Sequence, residues 1–490
     1  MHWEDLAIIL LYLAGVVAAG AIWARGQRSA RDYFLGGKEM SWWAVGMSIV
    51  ASETSTLTFI SVPGLAYQSQ MHFLQLVFGY FLGRVLVSVI FIPAYYRGDL
   101  ETAYDFLGRR FGIHIRRLAS SVFIITRVLA SGVRLFATAI PLHLMTGLSY
   151  TESILVIGGV TLTYTYLGGL KAVVAMDVLQ LCVYLAGAFV SAALILHALP
   201  HGWADVVASA ASANKFEIVN WTTGGSVIGF LSSPYTLAGG LVGGTFLTMA
   251  SHGTDQLLVQ RLLGCRSARD AQKALMLDAS LIVLQFAFFL LLGLCLYAFY
   301  GGRSYGALGL ASSDEVFPKF IVEQLPRGLS GVVVAGVLAS AMGSLSSSIS
   351  SLASSSYLDI LRQSKRAAAI ALGTEMRISR LLSLLWGAAL IAGAMLFAGS
   401  ASPVVEIGLK IASFTYGGLL GTFFLGLLFA GADERDATIG FLAGICAMCC
   451  VIMFTTIDYT WHTLVGCTVT VCTGNLSARI RMRRKSAPQA

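Results

Sequence analysis

Long apolar runs alternate with short polar segments along the whole chain. Each run has about twenty residues or more, which is the length that an α-helix needs to cross about 30 Å of hydrocarbon. The pattern therefore predicts an all-α integral membrane protein with about 13 transmembrane helices. The predicted spans are residues 5–25, 42–68, 72–97, 118–147, 151–169, 173–199, 236–260, 274–300, 328–360, 379–399, 403–430, 435–455 and 457–476.

The composition agrees with a chain that lies almost entirely in a membrane. Of its 490 residues, 56% are hydrophobic and only 12% are charged, whereas a soluble domain carries about twice that charged fraction. The first apolar run has no basic segment before it and no small-residue cleavage site after it, so we interpret it as a retained helix. The sequence shows no nucleophile–base pair and no spaced set of metal ligands, which disfavours an enzyme.

Basic residues concentrate in alternate loops, which predicts the orientation of the chain. The positive-inside rule places the richer set of loops and the tail from Arg479 to Lys485 in the cytoplasm, with the N-terminus outside. The net charge of +8 therefore indicates topology and not a nucleic-acid partner. The richer set consists of Arg25, Arg28, Arg31, Lys38, Arg109, Arg110, Arg116, Arg117, Arg261, Arg266, Arg269, Lys273, Arg362, Lys365, Arg366, Arg377 and Arg380, against Lys215, Arg303, Lys319 and Arg327 on the other side.

A dense run of serines lies inside the ninth span. Ten serines occur between Ser340 and Ser356, in a segment that is otherwise apolar. A hydroxyl without a partner costs roughly 2–7 kcal/mol in an alkane-like medium, so these oxygens need partners. Two kinds of partner fit: a closely packed helix, since small residues are common where membrane helices meet, or a cation stripped of its water.

The second and seventh spans differ from the others because polar residues or glycines interrupt them. The middle of span 42–68 is polar and contains Glu53, and four glycines interrupt the helical pattern of span 236–260. Interrupted spans in matching positions of two halves indicate an inverted-repeat transporter. The carbonyls that such breaks release are tolerated where they line a cavity or bind an ion. The alternative is a pair of kinked helices with packing glycines.

Several stretches resemble the sodium:solute symporters, whose members carry sugars, proline, iodide, monocarboxylates, vitamins and sialic acid. Residues 32–43 are similar to the family's entry to its first core helix, and residues 164–180 to its strongest signature, around core helix five. Residues 253–261 resemble the end of core helix six, the serine run resembles core helix eight, and residues 413–421 resemble core helix ten. The resemblance covers essentially residues 30 to 430.

The resemblance implies a LeuT-like fold of two inverted repeats of five helices each, in a single polytopic domain over residues 1–490. One extra helix precedes the repeats and two follow them. The implied boundaries are 5–25 for the extra N-terminal helix, 42–199 and 236–430 for the two repeats, 435–476 for the two extra helices, and 477–490 for a basic cytoplasmic tail.

The resemblance also implies a first sodium site between the break in core helix one and the hydroxyls of core helix eight. Its carbonyl donors are Ala51 and Thr54, and its hydroxyl donors are Ser340 and Ser344. Neutral carbonyl and hydroxyl oxygens replace the hydration shell of sodium well. None of them titrates near neutral pH, which favours sodium over a proton. Gly343 departs from the family pattern, where many relatives have a serine or threonine. The alternatives are that the site loses a ligand, that it uses the Gly343 carbonyl or a water, or that it relies on Ser347.

A second sodium site is implied by Asp177 together with Ser346 and Ser347. A carboxylate inside a spanning helix is functional by default, because an unpaired charge there is costly. The alternative is that Asp177 lies near the cytoplasmic mouth, solvated, and pairs with Lys171 or with a loop arginine.

The predicted solute site lies at the break in the second span. Glu53, Ser55 and Thr58 present a carboxylate and hydroxyls there, and Arg134 in the fourth span is a candidate ligand for a substrate carboxylate. Glu53 has three alternatives, which are to accept hydrogen bonds from a polyol, to bind an ammonium, or to pair internally. Arg127 and Arg134 share a helix face and, like Arg84, are candidate partners for it.

The combined interpretation is a sodium-driven secondary symporter that imports a small polar solute, a sugar, an amino acid or a carboxylate. Transport would use alternating access with one or two sodium ions per cycle, in the inner (plasma) membrane, with lipid as the surroundings. One alternative is the same scaffold driven by protons through Asp177 or Glu53. The other is a membrane sensor that binds solute without transporting it.

Overall fold

The structure is a computed structural model, and it describes residues 3–23, 29–221, 225–233, 235–363, 372–396 and 404–486. Nineteen α-helices occur in these residues. Those of the first half are α1 (Trp3–Trp23), α2 (Ala30–Leu35), α3 (Trp42–Glu53), α4 (Thr56–Gln68), α5 (Phe73–Arg97), α6 (Ala103–Arg110), α7 (Ile113–Thr146), α8 (Tyr150–Ala198) and α9 (Trp203–Ser212).

Those of the second half are α10 (Val227–Ser232), α11 (Gly244–Gly253), α12 (Gln256–Leu263), α13 (Ala268–Phe299), α14 (Val316–Gln324), α15 (Leu329–Ser355), α16 (Leu372–Leu396), α17 (Val404–Leu428), α18 (Glu434–Phe454) and α19 (Tyr459–Ser486). Two π-helical segments adjoin them, at Gly239–Gly243 before α11 and at Ser356–Leu361 after α15. The all-α fold class is therefore confirmed.

The number of membrane crossings differs from a simple count of helices. In the described part of the chain, eight helices are long and apolar enough to span, or nine if α3 and α4 form one bent span. One of the eight, α8, has 49 residues and would be about 74 Å long if straight, more than twice the hydrocarbon thickness. Gly169 interrupts α8 with φ 52° and ψ −154°, at the place where we predicted two separate spans.

Two predicted boundaries differ from the structure. α7 begins at Ile113, five residues before the predicted span, and α19 continues to Ser486, so most of the predicted tail is helical. The outer segment 200–235 contains α9 and α10. The ends of the predicted spans at 397–399 and 403 lie outside the described residues.

The break in the second span lies between α3 and α4. α3 ends at Glu53, and Thr54 and Ser55 have extended backbone before α4 begins at Thr56. The two halves are bent by 60°. In the last turn of α3, the Val50 carbonyl accepts a hydrogen bond from the Thr54 N–H at 3.0 Å, and the Glu53 carbonyl accepts one from the Ser55 N–H at 2.9 Å. The break thus interrupts the regular helical hydrogen bonds of the span.

The interruption of the seventh span is not where we predicted it. The four glycines lie within the π-helical segment and α11, and the helix stops only at Thr254, before α12. Asp255 begins α12 by accepting a hydrogen bond from the Leu257 N–H at 2.9 Å. The glycines instead permit close packing, because a side chain at Gly240 or Gly244 would meet the backbone of α5.

The serine helix α15 lies at the centre of the molecule. Of its membrane-crossing stretch, 89% is buried, against 22% for α1. It packs against α8, α7, α1 and α3. Small side chains let these helices approach closely, and the hydroxyls lie between them rather than towards lipid.

The segment that contains α9 fixes the end of α4. We name residues 200–221 the outer cap, after the side of the membrane on which the basic loops predict it to lie. Lys215, which follows α9, is buried and donates hydrogen bonds to the carbonyls of Ala66, Tyr67 and Ser69 at 3.3, 2.8 and 3.1 Å. Its ammonium also lies 4.3 Å from the centre of the Tyr297 ring. Burial lowers the pKa of Lys215 to about 8.

The packing of α11 on α5 makes a testable prediction. Gly244→Val should destabilise the protein by about 1–3 kcal/mol, the usual cost of overpacking, because the new side chain would meet the Leu76 carbonyl, 2.6 Å from the position of its Cβ. Thermal unfolding in detergent measures this. The control is Gly159→Val in α8, where nothing lies within 4 Å of the added Cβ; equal melting temperatures for the two variants would contradict the packing argument.

Candidate ion and solute site

The serine helix meets the helix break through short polar contacts. The Ser340 and Thr56 hydroxyls lie 3.1 Å apart, and both are within hydrogen-bond distance of the Val337 carbonyl. One hydroxyl donates to that carbonyl and accepts a hydrogen bond from the other. The Thr54 hydroxyl accepts a hydrogen bond from Gln285 Nε2 at 2.6 Å. Ser344 donates to the Ala341 carbonyl of its own helix at 3.0 Å. The structure thus places Ser340 beside Thr56, on the α4 side of the break. Sequence reasoning missed Thr56.

Asp177 lies in a fully buried polar cluster. Its Oδ2 accepts hydrogen bonds from the Ser48 hydroxyl at 2.5 Å and from Arg261 Nη2 at 2.9 Å. Ser347 accepts a hydrogen bond from Arg261 at 2.5 Å and donates to Ser52 at 3.0 Å. Asp177 and Ser347 are therefore neighbours, and a fixed guanidinium lies between them.

Two expectations about this cluster differ from the structure. Asp177 is not solvated beside Lys171, because its side chain is 0% exposed and Lys171 lies 3.9 Å from Glu39 instead. We assigned Arg261 to a cytoplasmic loop, but it is equally buried, in α12. The carboxylate of Asp177 compensates its charge, which makes its burial tolerable. Ser346 donates to the Gly343 carbonyl at 3.0 Å and does not contact Asp177 directly.

Gly343 leaves a space that three oxygens face. A side chain there would place its Cβ 3.0 Å from Gln180 Oε1 and 3.5 Å from both the Ala51 carbonyl and Asp177 Oδ1. Asp177 Oδ1 and Gln180 Oε1 are buried, and neither has a hydrogen-bond partner among the described residues. Buried oxygens without donors are rare and unfavourable, so a cation in this space would satisfy oxygens that the protein leaves unpaired.

Glu53 pairs internally, which is one of its three predicted alternatives. Its Oε2 accepts a hydrogen bond from Arg84, and its Oε1 lies 3.0 Å from His252 Nε2. Arg127 pairs with Asp255 instead. The partner of Glu53 is therefore Arg84, because α5 packs beside the break. The Glu53 side chain remains 22% exposed.

Arg134, in α7, has no partner among the described residues. It is partly buried, and its guanidinium makes no ion pair or hydrogen bond with another described residue. The groups that act on it electrostatically are Arg127, Tyr416, Asp255 and Glu53. The hydroxyls of Ser55 and Thr58, in the first turn of α4, likewise make no hydrogen bond within the described part of the chain. These three side chains remain available to a solute.

Sequence reasoning missed several residues of these clusters. Gln180 and Arg261 belong to the stretches that carry the family resemblance, so the sequence contained a signal for them. His252 and Asp278 gave no signal other than being ionisable residues within apolar spans.

Comparisons with known proteins agree with this architecture. Residues 33–444 match the family model described as the sodium:solute symporter family. The chain is 26% identical to the sodium/sialic acid symporter NanT of Aliivibrio fischeri over 478 residues, covering 96% of this chain and 92% of the relative. It is 29% identical to sodium-coupled monocarboxylate transporter 2 of Bos taurus over 453 residues, covering 90% and 71%.

A solved structure has the same fold. It is the substrate-bound, outward-open state of a sodium-coupled sialic acid symporter, with a TM-score of 0.87 and 25% identity over 98% of both chains.

The pairing of Arg261 with Asp177 makes a second prediction. Arg261→Met should destabilise the protein by about 3–5 kcal/mol, because it leaves a buried carboxylate without its compensating charge. The double variant with Asp177→Asn should recover much of that loss in unfolding measurements. Arg134→Met, at an arginine without a partner, is the control and should change stability little. A double variant no more stable than Arg261→Met would show that the two charges do not compensate each other.

Proposed function

This chain belongs to the sodium:solute symporter family, and from that premise we propose where it binds its coupling ion and what kind of solute it imports. Sodium-coupled transport of a small solute is the activity that its homologues share, and sodium is the coupling ion. The scaffold is a multi-pass membrane protein with a LeuT-like fold. The proposals below concern the residues that this particular chain uses.

The sodium ion binds in the space beside Gly343. The observation that carries this proposal is the convergence there of the Ala51 carbonyl, Asp177 Oδ1 and Gln180 Oε1, two of them buried without a partner. A hard monovalent cation prefers such oxygen ligands to water when they are already in place. Thr54, Ser340 and Ser344 border the break and complete the coordination when their hydroxyls or carbonyls turn towards the ion.

One sodium ion beside Gly343 has ligands from both sites that the family resemblance implies, Ala51 from the first and Asp177 from the second. The second oxygen of Asp177 already accepts from Arg261, which also occupies the Ser347 hydroxyl. Arg261 thereby supplies the positive charge that a sodium ion between Asp177, Ser346 and Ser347 would supply. We therefore propose a stoichiometry of one sodium ion per cycle.

The solute carries a carboxylate that Arg134 binds. Removing a guanidinium from water without a partner is costly, and a carboxylate matches its geometry with two parallel hydrogen bonds. Ser55 and Thr58 offer hydroxyls at the start of α4, where the helix N-terminus also favours negative charge. The relatives named for sialic acid and for monocarboxylates carry acids, which supports the same class of solute here.

The topology that fits this function places the protein in the inner (plasma) membrane, with the N-terminus outside and the basic loops in the cytoplasm. The inverted repeats then comprise residues 42–199 and 236–430, each with one interrupted helix.

Gly343→Ala tests the ion site. The added methyl group occupies the space that the three oxygens face, so the apparent affinity for sodium should fall about tenfold, equivalent to about 1.4 kcal/mol. Radioactive sodium binding to the purified protein measures it. Gly393→Ala in α16, where nothing lies within 4 Å of the added Cβ, is the control. Unchanged sodium affinity in Gly343→Ala would place the ion elsewhere.

Arg134→Met tests the solute site. In a thermal-shift screen with sodium present, small carboxylates should stabilise the wild type more than neutral sugars do, and the variant should lose the carboxylate effect alone. A tenfold or larger weakening is expected, since a charge-assisted pair contributes about 1.5–3 kcal/mol. Sodium stabilisation should persist, which separates loss of the solute from loss of the ion. A wild type stabilised only by neutral sugars would overturn the assignment.

A further inference from the structure

Four ionisable side chains from four helices meet beside the first helix break. They are Glu53 at the end of α3, Arg84 in α5, His252 in α11 and Asp278 in α13, and we name them the break tetrad. Arg84 donates hydrogen bonds to Glu53 and, at 2.5 Å, to Asp278 Oδ2. His252 Nε2 lies 3.0 Å from Glu53 Oε1 and 3.6 Å from Asp278 Oδ2. Each carboxylate therefore contacts both basic side chains.

The charges of the break tetrad balance only when the imidazole is protonated. Two carboxylates and one guanidinium leave a surplus of one negative charge, in a place where Arg84, His252 and Asp278 are 1% exposed or less. An uncompensated buried charge is strongly unfavourable. Among side chains, imidazole is the one that gains and loses a proton near neutral pH. One exchangeable positive charge is thus what the tetrad requires.

The surroundings of His252 accommodate both protonation states. Nδ1 lies 2.9 Å from the Ser251 hydroxyl, which is itself 3.3 Å from the Thr248 carbonyl. When Ser251 donates to Nδ1, the ring is neutral. When Ser251 donates to the Thr248 carbonyl, its oxygen accepts a hydrogen bond from Nδ1–H, and the ring is an imidazolium. A hydroxyl rotation accompanies the change, and no helix has to move. Ser251 is only partly buried, so it connects the ring to accessible space.

Within the described ranges, Arg84 and His252 are the basic side chains that pair with a carboxylate of the break tetrad, and Arg134 acts on Glu53 electrostatically without an ion pair. The helices packed against α11 are α5, α12, α17 and α19. Their ionisable side chains in this region already have partners or are phenols. They are Tyr80, Arg84 and Tyr95 of α5, Asp255 before α12 with its partner Arg127, Tyr416 of α17, and His462 of α19.

We propose that His252 is a proton-binding site that competes with sodium. The proposal rests on the proposed sodium site, because Ala51, a ligand of that site, lies two residues before Glu53 in α3. With a proton on His252 the tetrad is neutral, and sodium entering beside it adds an uncompensated charge. When the proton leaves Nδ1 for water, the tetrad carries one negative charge, which favours sodium. By linkage, a proton and sodium lower each other's affinity by the same factor.

Sodium binding measured against pH tests this proposal. Radioactive sodium binding to the purified full-length protein should be at least about fivefold weaker near pH 5.5 than near pH 8.5, the lower end of typical couplings between sites. His252→Gln, which keeps a polar side chain but cannot be charged, should bind sodium with an affinity that changes little with pH. The matched control is His201→Gln, because His201 is an exposed histidine of the outer cap that pairs with Asp205. It should retain the wild-type pH dependence.

Proton release provides the second readout. In weak buffer with a pH-indicator dye, sodium chloride should release up to one proton per ion bound within the same pH range, and choline chloride should release none. His252→Gln should release none with either salt. Asp278→Asn removes the surplus negative charge, so its pH dependence should move to lower pH, and this variant decides the question if His252→Gln fails to fold.

The outcomes separate this inference from the proposed function. A wild type whose sodium affinity is the same across this pH range, or a His252→Gln variant that keeps the wild-type dependence, overturns the proton site. Absence of sodium binding at every pH would instead contradict the sodium site.

Discussion

A helix that stops inside a bilayer has to find partners for the peptide groups that it releases. Hydrocarbon offers none, and each unsatisfied group costs several kcal/mol. α3 stops at Glu53, and the carbonyls of Val50 and Glu53 accept hydrogen bonds from the N–H groups of Thr54 and Ser55. The hydroxyls of Thr54 and Thr56 at the break contact Gln285 and the Ser340 hydroxyl of α15. α15 packs against both α3 and α8, so its hydroxyls lie beside the break.

The two charged clusters beside the break balance their buried charges in different ways. Around Asp177, one carboxylate meets one guanidinium, and the charges cancel without help from outside. In the break tetrad, two carboxylates share one guanidinium, and balance depends on a histidine. The first cluster is balanced by fixed charges, whereas the second depends on histidine, a side chain that exists in a charged and a neutral form.

The sequence was sufficient for features that depend on local pattern. Apolar runs predicted most of the helices, and Glu53 and Asp177 were recognisable as carboxylates in apolar spans. The seventh span was misread because glycine both interrupts helices and lets them pack closely, and α5 makes use of the second property here. The partners of Glu53 could not be predicted, since the choice of Arg84 over Arg127 and Arg134 depends on which helices become neighbours in three dimensions. Nor does a linear pattern show that Gly343 lies opposite Gln180.

Lys215 has a mechanical consequence for the outer half of the broken helix. Its ammonium joins the carbonyl groups of Ala66, Tyr67 and Ser69, at the end of α4 and just after it, to the segment that follows α9. A tilt of α4 relative to that segment would lengthen these hydrogen bonds and leave a buried cation with fewer oxygen partners. The three contacts therefore oppose any movement of α4 that the outer cap does not follow.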